Sequence, residues 1–200
     1  MLGKFYEPFP VLETQRLQLK PIEDRDAKHL YNILSDEEVA KFEYFYPIKS
    51  IEEASKFIQR YKDELKEGDE ITWGIFLKDN DMLIGTCCLG DFNEGAMRSE
   101  IGYSILRSEW GKGYATEAVN EIVGFGFEVI GLNRIEATIT PGNDASVRVL
   151  EKLNFTKEGL VRERDLIKGK LEDGIIMAIL KKDYSRNRNV NETPCIDNLI

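Results

Sequence analysis

Two glycines one residue apart, Gly111 and Gly113, stand between an alternating run that ends near Leu106 and a helix-like run that begins at Tyr114. A strand that turns on glycines straight into a helix joins two periodicities with almost no slack, so this stretch constrains the fold more than any other. Glycine at such a turn frees the backbone for unusual angles and lets it come close to a ligand. The first turn of the helix adds unpaired N–H donors and the positive end of the helix dipole. Read alone, Trp110-Gly111-Lys112-Gly113-Tyr114-Ala115-Thr116-Glu117 predicts either an anion site suited to a pyrophosphate or an ordinary strand-to-helix turn.

The familiar nucleotide motifs do not fit it. A dinucleotide fold needs a third glycine and an early strand–helix–strand unit, whereas Thr116 holds the third position and the motif lies past mid-chain. A phosphate-binding loop of the Walker type needs more residues between its glycines and a Gly-Lys-Ser/Thr ending.

Around this stretch the chain alternates strand and helix patterns. A strand is predicted from Leu12 to Ile22, then a helix from a cap at Asp24 or Asp26 to Ser35. Ser50-Ile51-Glu52-Glu53 opens a second helix that Gly68 ends. Strands follow at Ile71–Leu77, Leu83–Leu89 and Ser99–Leu106. A long helix at Tyr114–Val129, a strand at Arg134–Thr140, a helix at Asp144–Leu153 and a closing hairpin (Leu160–Ile167 with Gly174–Leu180) complete the pattern. A meander in the middle and a βαβ step after it predict a mixed sheet with helices, an α/β or α+β class.

The 200 residues suit one domain, expected over residues 1–182, with a polar, Asn-rich tail over 183–200. The formal net charge of -9 disfavours a nucleic-acid binder and suits a cationic substrate such as an amine. No apolar run approaches the length of a membrane span, and the first residues lack the apolar core of a secretory signal. Three cysteines without a framework (Cys87, Cys88 and Cys195) and a single histidine, His29, predict no disulfide scaffold and no metal. A cytoplasmic chain is expected. With one histidine, a Ser-His-Asp or Cys-His hydrolase has no footing either.

Four blocks in order carry a more specific signal: Glu100-Ile101-Gly102-Tyr103-Ser104-Ile105, the Trp110–Ala118 segment, Asn143-Asp144-Ala145-Ser146, and Glu151-Lys152-Leu153-Asn154-Phe155. Over about Glu13 to Lys182 the chain resembles the GNAT superfamily of acyl-CoA N-acyltransferases, and more narrowly its RimJ/RimL-like branch, whose named members acetylate N-termini of ribosomal proteins. The resemblance implies a central sheet of about seven strands, splayed between two of them, with acetyl-CoA entering the gap. It implies that Ile105 and Leu106 offer backbone groups to the pantetheine arm, and that Gly111, Lys112, Gly113, Tyr114, Ala115 and Thr116 hold the pyrophosphate. It places Asn143 against the cofactor and Ser146 near its sulfur, although Asn143 reads by itself as a helix cap. Asn154 stands where the family shows glycine, and asparagine is the next-best residue for a left-handed helix end.

The implied reaction is direct acetyl transfer to a primary amine, with a protein or peptide N-terminus favoured as acceptor. Alternatives are a small amine, such as a polyamine, an aminoglycoside or an amino-acid derivative, or a non-catalytic acetyl-CoA-binding module. An ammonium has no lone pair, so some group must accept its proton. Glu100, on the strand leading to the glycine loop, is the first candidate base. Asp165, at an acidic position of the closing hairpin that RimL-like enzymes are thought to use, is the second. Ser146 is the candidate near the leaving sulfur, because the tyrosine that serves as acid in related enzymes corresponds here to Leu150. The aromatic run Phe42-Glu43-Tyr44-Phe45-Tyr46 is expected to wall the acceptor cleft, with Glu43 available to pair an ammonium. Oligomeric state stays open between monomer and homodimer.

Overall fold

Ridges of buried aliphatic side chains on both faces of one sheet fix the architecture. The computed structural model describes residues 8–184. Cys195 and all but the first two residues of the expected polar tail lie outside them. In chain order the elements are β1 (Leu12–Glu13), β2 (Leu17–Lys20), α1 (Ala27–Leu34), α2 (Glu37–Ala40), α3 (Ile51–Glu67), β3 (Ile71–Leu77), β4 (Leu83–Asn93) and β5 (Arg98–Ile105). There follow α4 (Tyr114–Phe125), β6 (Arg134–Ile139), α5 (Asp144–Lys152), β7 (Thr156–Ile167) and β8 (Lys170–Leu180). Among the described residues the sheet has eight strands, in the order β1-β2-β3-β4-β5-β6-β8-β7. Its pairings are antiparallel except that of β5 with β6.

Strand alternation divides the core in two. Ile71, Trp73 and Ile75 of β3 join Cys87 and Leu89 of β4 and the α4 residues Val119 and Ile122 in one cluster. Phe76 and Leu83 face the other way, into a second cluster with Leu30, Ile33 and Leu34 of α1 and Ile58 of α3. The expected elements therefore appear, with informative differences. The single strand predicted over Leu12 to Ile22 is broken into β1 and β2, because Thr14 turns the chain back through a 3.0 Å bond from its N–H to the Leu17 carbonyl. The helix from Tyr114 stays regular to Phe125 and then widens into a π turn over Gly126–Ile130, before Gly131 ends it at φ 85°. Asn154 takes φ 64°, the left-handed angle that glycine would otherwise supply.

The pairing of β5 with β6 is the feature that makes a site. The two strands run parallel over Arg98–Glu100 and Arg134–Glu136 only, and then part. Beyond the fork β5 continues to Ile105 along β4, while β6 continues to Ile139 along β8. Backbone groups on the facing edges of the two strands are thereby left without each other as partners.

Candidate active site

The fork is plugged by a side chain. Glu100, the last residue of β5 paired with β6, accepts a hydrogen bond at Oε1 from the Thr138 N–H of β6, at 3.1 Å. This supplies the acceptor that a continuing β5 backbone would have offered. Oε2 lies 3.4 Å from an Nη of Arg164 on β7. Past the plug, Tyr103 reaches from β5 to α5 and donates to the Ser146 carbonyl at 3.2 Å. Burial pushes its phenol well above the usual range, so it stays a donor.

Register decides which backbone groups face the gap. The Leu106 N–H is bonded to the Ile84 carbonyl at 2.7 Å, and a Cβ on Gly85 would come within 2.4 Å of the Ser104 carbonyl. Antiparallel alternation then turns the N–H groups of Tyr103 and Ile105 away from β4 and toward the gap. The Ile105 carbonyl is taken by the Trp110 indole N–H at 2.7 Å. Of the two residues expected to meet a pantetheine arm, Ile105 thus presents its N–H to the gap and Leu106 has its N–H committed to β4.

The glycine loop follows at once. Gly111 and Gly113 take φ 75° and 84°, angles at which a side chain would be strained, and space around Gly111 is open. Among the described residues no side chain caps α4, so the first N–H groups of Tyr114, Ala115 and Thr116 are left for a ligand. The loop is braced from behind by a residue that no sequence motif singles out. Arg16 donates to the Lys112 carbonyl at 3.0 Å and to Glu117 Oε2 at 2.7 Å, and its guanidinium lies 4.4 Å from the Tyr114 ring centre. Glu117 also accepts from Thr14 Oγ1 at 2.5 Å and the Arg16 N–H at 2.8 Å. Thr14 and Arg16 flank a single residue and carry no local signal of this role. Only the fold brings them to Glu117, 101 positions away from Arg16.

On the α1–α3 side of the fork lies a cleft of about 600 Å³. It brings together Glu100, Asn143, Ser146 and Asp165, as well as Glu43 and Tyr44 from the loop after α2. The glycine loop and Ile105 lie outside this lining, at the neighbouring end of β5. Asn143 caps α5, its Oδ1 accepting from the Ser146 N–H at 3.2 Å, and it lines the cleft as well. Five carboxylates (Glu43, Glu70, Asp91, Glu100, Asp165) face it against the two guanidiniums of Arg60 and Arg164, so its field favours a cation.

The carboxylates differ in their partners. Arg164 spans Glu100 and Asp165, the latter at 3.5 Å. The Tyr44 hydroxyl donates to Asp165, and burial together with the charges of Asp165 and Glu100 pushes its phenol up to about 12. Glu70 accepts from Thr72 Oγ1 at 2.6 Å. Cys88 also faces the cleft, with its thiol pushed far up by burial and by Glu70, which makes it a poor nucleophile. Glu43 accepts from Ser104 Oγ at 2.7 Å, and burial raises its pKa above the usual carboxylate range. Leu150 is fully buried in the core. Among the described residues, no group of three or more His, Cys, Asp or Glu side chains could hold a metal ion, and no helix is long and apolar enough to cross a membrane.

Comparison with known proteins places the chain in a family. Residues 16–156 match the family described as the acetyltransferase (GNAT) domain. The chain is 39% identical over 174 residues to the uncharacterized N-acetyltransferase p20 of Bacillus licheniformis, covering 87% of this chain and 98% of that one. It is 27% identical over 186 residues to the [ribosomal protein uS5]-alanine N-acetyltransferase of Escherichia coli, covering 88% and 94%. Among solved structures, the GNAT-family acetyltransferase from Bacillus anthracis superposes with a TM-score of 0.77 at 25% identity, over 86% of this chain and 99% of that one. A fork between parallel strands, an uncapped helix behind two left-handed glycines and an acidic cleft beside them thus lie together in one chain, and the chain belongs to the GNAT family of N-acetyltransferases.

Proposed function

We propose that this enzyme transfers acetyl directly from acetyl-CoA to a primary amine, with a protein or peptide N-terminus as the acceptor. The observation that carries the proposal is the fork, which opens beside the uncapped glycine loop on one side and an acidic cleft on the other. In this reading the N–H groups from Gly111 to Thr116 hold the pyrophosphate, with the charge of Lys112 beside them. The Ile105 N–H meets the pantetheine arm, and Asn143 and Ser146 flank the thioester end. Glu100 and Asp165 share Arg164 at the cleft wall, which suits the pair to draw in and hold a cation before transfer. Residues 1–182 form the single catalytic unit.

The E. coli relative that acetylates a ribosomal-protein alanine supports an N-terminal acceptor. The volume of the cleft and its carboxylates also suit a polyamine. The two acceptors separate in one assay, in which the chain and acetyl-CoA are incubated with alanine-initiated peptides or with spermidine and thiol release is followed. The peptides should react with at least about tenfold higher kcat/KM, a difference of about 1.4 kcal/mol in transition-state binding. The reverse order would make this a small-amine acetyltransferase.

A further inference from the structure

We propose that Glu43 takes the proton from the acceptor ammonium, an assignment that rests on the acetyl-transfer reading above. Glu43 stands in the loop after α2, lines the cleft, and is anchored to Ser104 Oγ at 2.7 Å. Ser104 immediately precedes Ile105, whose N–H faces the gap, so the anchor sets the carboxylate beside the strand along which the thioester would lie. The other cleft carboxylates nearest the fork are engaged more heavily. Glu100 holds the Thr138 N–H and Arg164, Asp165 holds Arg164 and the Tyr44 hydroxyl, and Glu70 accepts from both Thr72 and the Cys88 thiol. Among the described residues Glu43 accepts from one neutral hydroxyl and makes no ion pair, which leaves its second oxygen for the incoming amine.

Ser104 faces it from β5 and Lys168 from the β7–β8 turn, and the phenol of Tyr61 on α3 lies within reach of its charge. Burial favours the protonated carboxyl, while the Ser104 hydrogen bond and the Lys168 charge partly oppose it. A carboxylate poised above its ordinary range is a better match for an amine than a fully solvated one. In the step, one N–H proton of the ammonium passes to Glu43. The freed nitrogen attacks the thioester carbonyl, the C–S bond breaks, and the departing sulfur takes the second proton from nitrogen. Glu43 then returns its proton to solvent, so one ammonium and one thioester give one amide, one thiol and one proton.

The test uses the full chain with acetyl-CoA and two probe acceptors, an alanine-initiated peptide and spermidine, and follows kcat/KM against pH. Glu43→Gln should lower kcat by about 10²- to 10³-fold and abolish the rising acid limb, with acetyl-CoA affinity held within about threefold. Ser104→Ala removes a bond that favours the charged form, so it should move the midpoint of that limb to higher pH. A Glu43→Gln enzyme that keeps kcat within about threefold, keeps the limb, or loses acetyl-CoA binding together with turnover would overturn the assignment. A wild-type chain that acetylates neither probe would count against the proposed acceptors instead. In that case a carboxylate-resolved NMR titration of the free chain decides for Glu43, because the signal missing in Glu43→Gln should titrate above ordinary glutamates, and titration among them would overturn the proposal.

Discussion

At the scale of single residues, the site is a set of backbone donors held in place by a few side chains. Glu117 receives the Thr14 hydroxyl, the Arg16 N–H and the Arg16 guanidinium, and Arg16 in turn holds the Lys112 carbonyl. Glu117→Ala leaves the Arg16 N–H and the Thr14 hydroxyl without their acceptor, so it should cost about 2 kcal/mol in unfolding free energy, read from the denaturant midpoint, and weaken acetyl-CoA binding as well. Loss of stability with unchanged affinity would separate the brace from the loop. Leu150 gives a contrasting case, since the position where the resemblance leads one to look for an acid tyrosine is held by a side chain with no exposure here. Leu150→Tyr should overpack the core and destabilise by about 1–3 kcal/mol without raising kcat. Glu43 carries a stability signature of its own. Its pKa is raised in the folded chain, so the fold holds its proton more tightly than the unfolded chain does, and stability falls as pH rises from the ordinary carboxylate range through the folded value. Glu43→Gln should therefore raise Tm at pH ~8 and have little effect near pH ~4.

At the scale of elements, the fork between β5 and β6 is a break in the sheet and, in the proposed reading, the opening for acetyl-CoA. Glu100 bridges that break through Thr138, so Glu100→Ala should speed hydrogen exchange at the Thr138 N–H and cost about 1–2 kcal/mol. Exchange unchanged at Thr138 would show that the bond is not what protects it. Much of this level was legible in the sequence, since β3, α3 and the α4 start lie where periodicity, Ser50, Gly68 and Gly113 place them. Asn154 was legible as a left-handed helix end for the same local reason. The break at Thr14 was not, because its causes are a turn and a bond to Glu117 from a distant helix. The partners of Glu43, Glu100 and Asp165 were hidden likewise. Their residue types suggested proton chemistry, but only the packing of β7 and the loop after α2 against β5 shows which carboxylates are shared with Arg164 and which one rests on Ser104.

At the scale of the whole molecule, a formal charge of -9 has a focus in the cleft, where carboxylates outnumber guanidiniums. A cationic acceptor should be steered in by that field. Raising ionic strength from about 10 mM to 150 mM shortens the screening length from about 30 Å to 8 Å, so kcat/KM for the amine should fall by about threefold to tenfold. An amine rate indifferent to salt would place recognition in contacts other than the acidic wall. The glycine loop and the fork carry the central claim, and thermal unfolding with acetyl-CoA, CoA, ATP and NAD in parallel tests it most directly. Acetyl-CoA and CoA at about a hundred times their dissociation constants should each stabilise the chain by about 2.7 kcal/mol, with ATP and NAD giving no comparable shift. Stabilisation by ATP or NAD with none from the CoA pair would contradict the account.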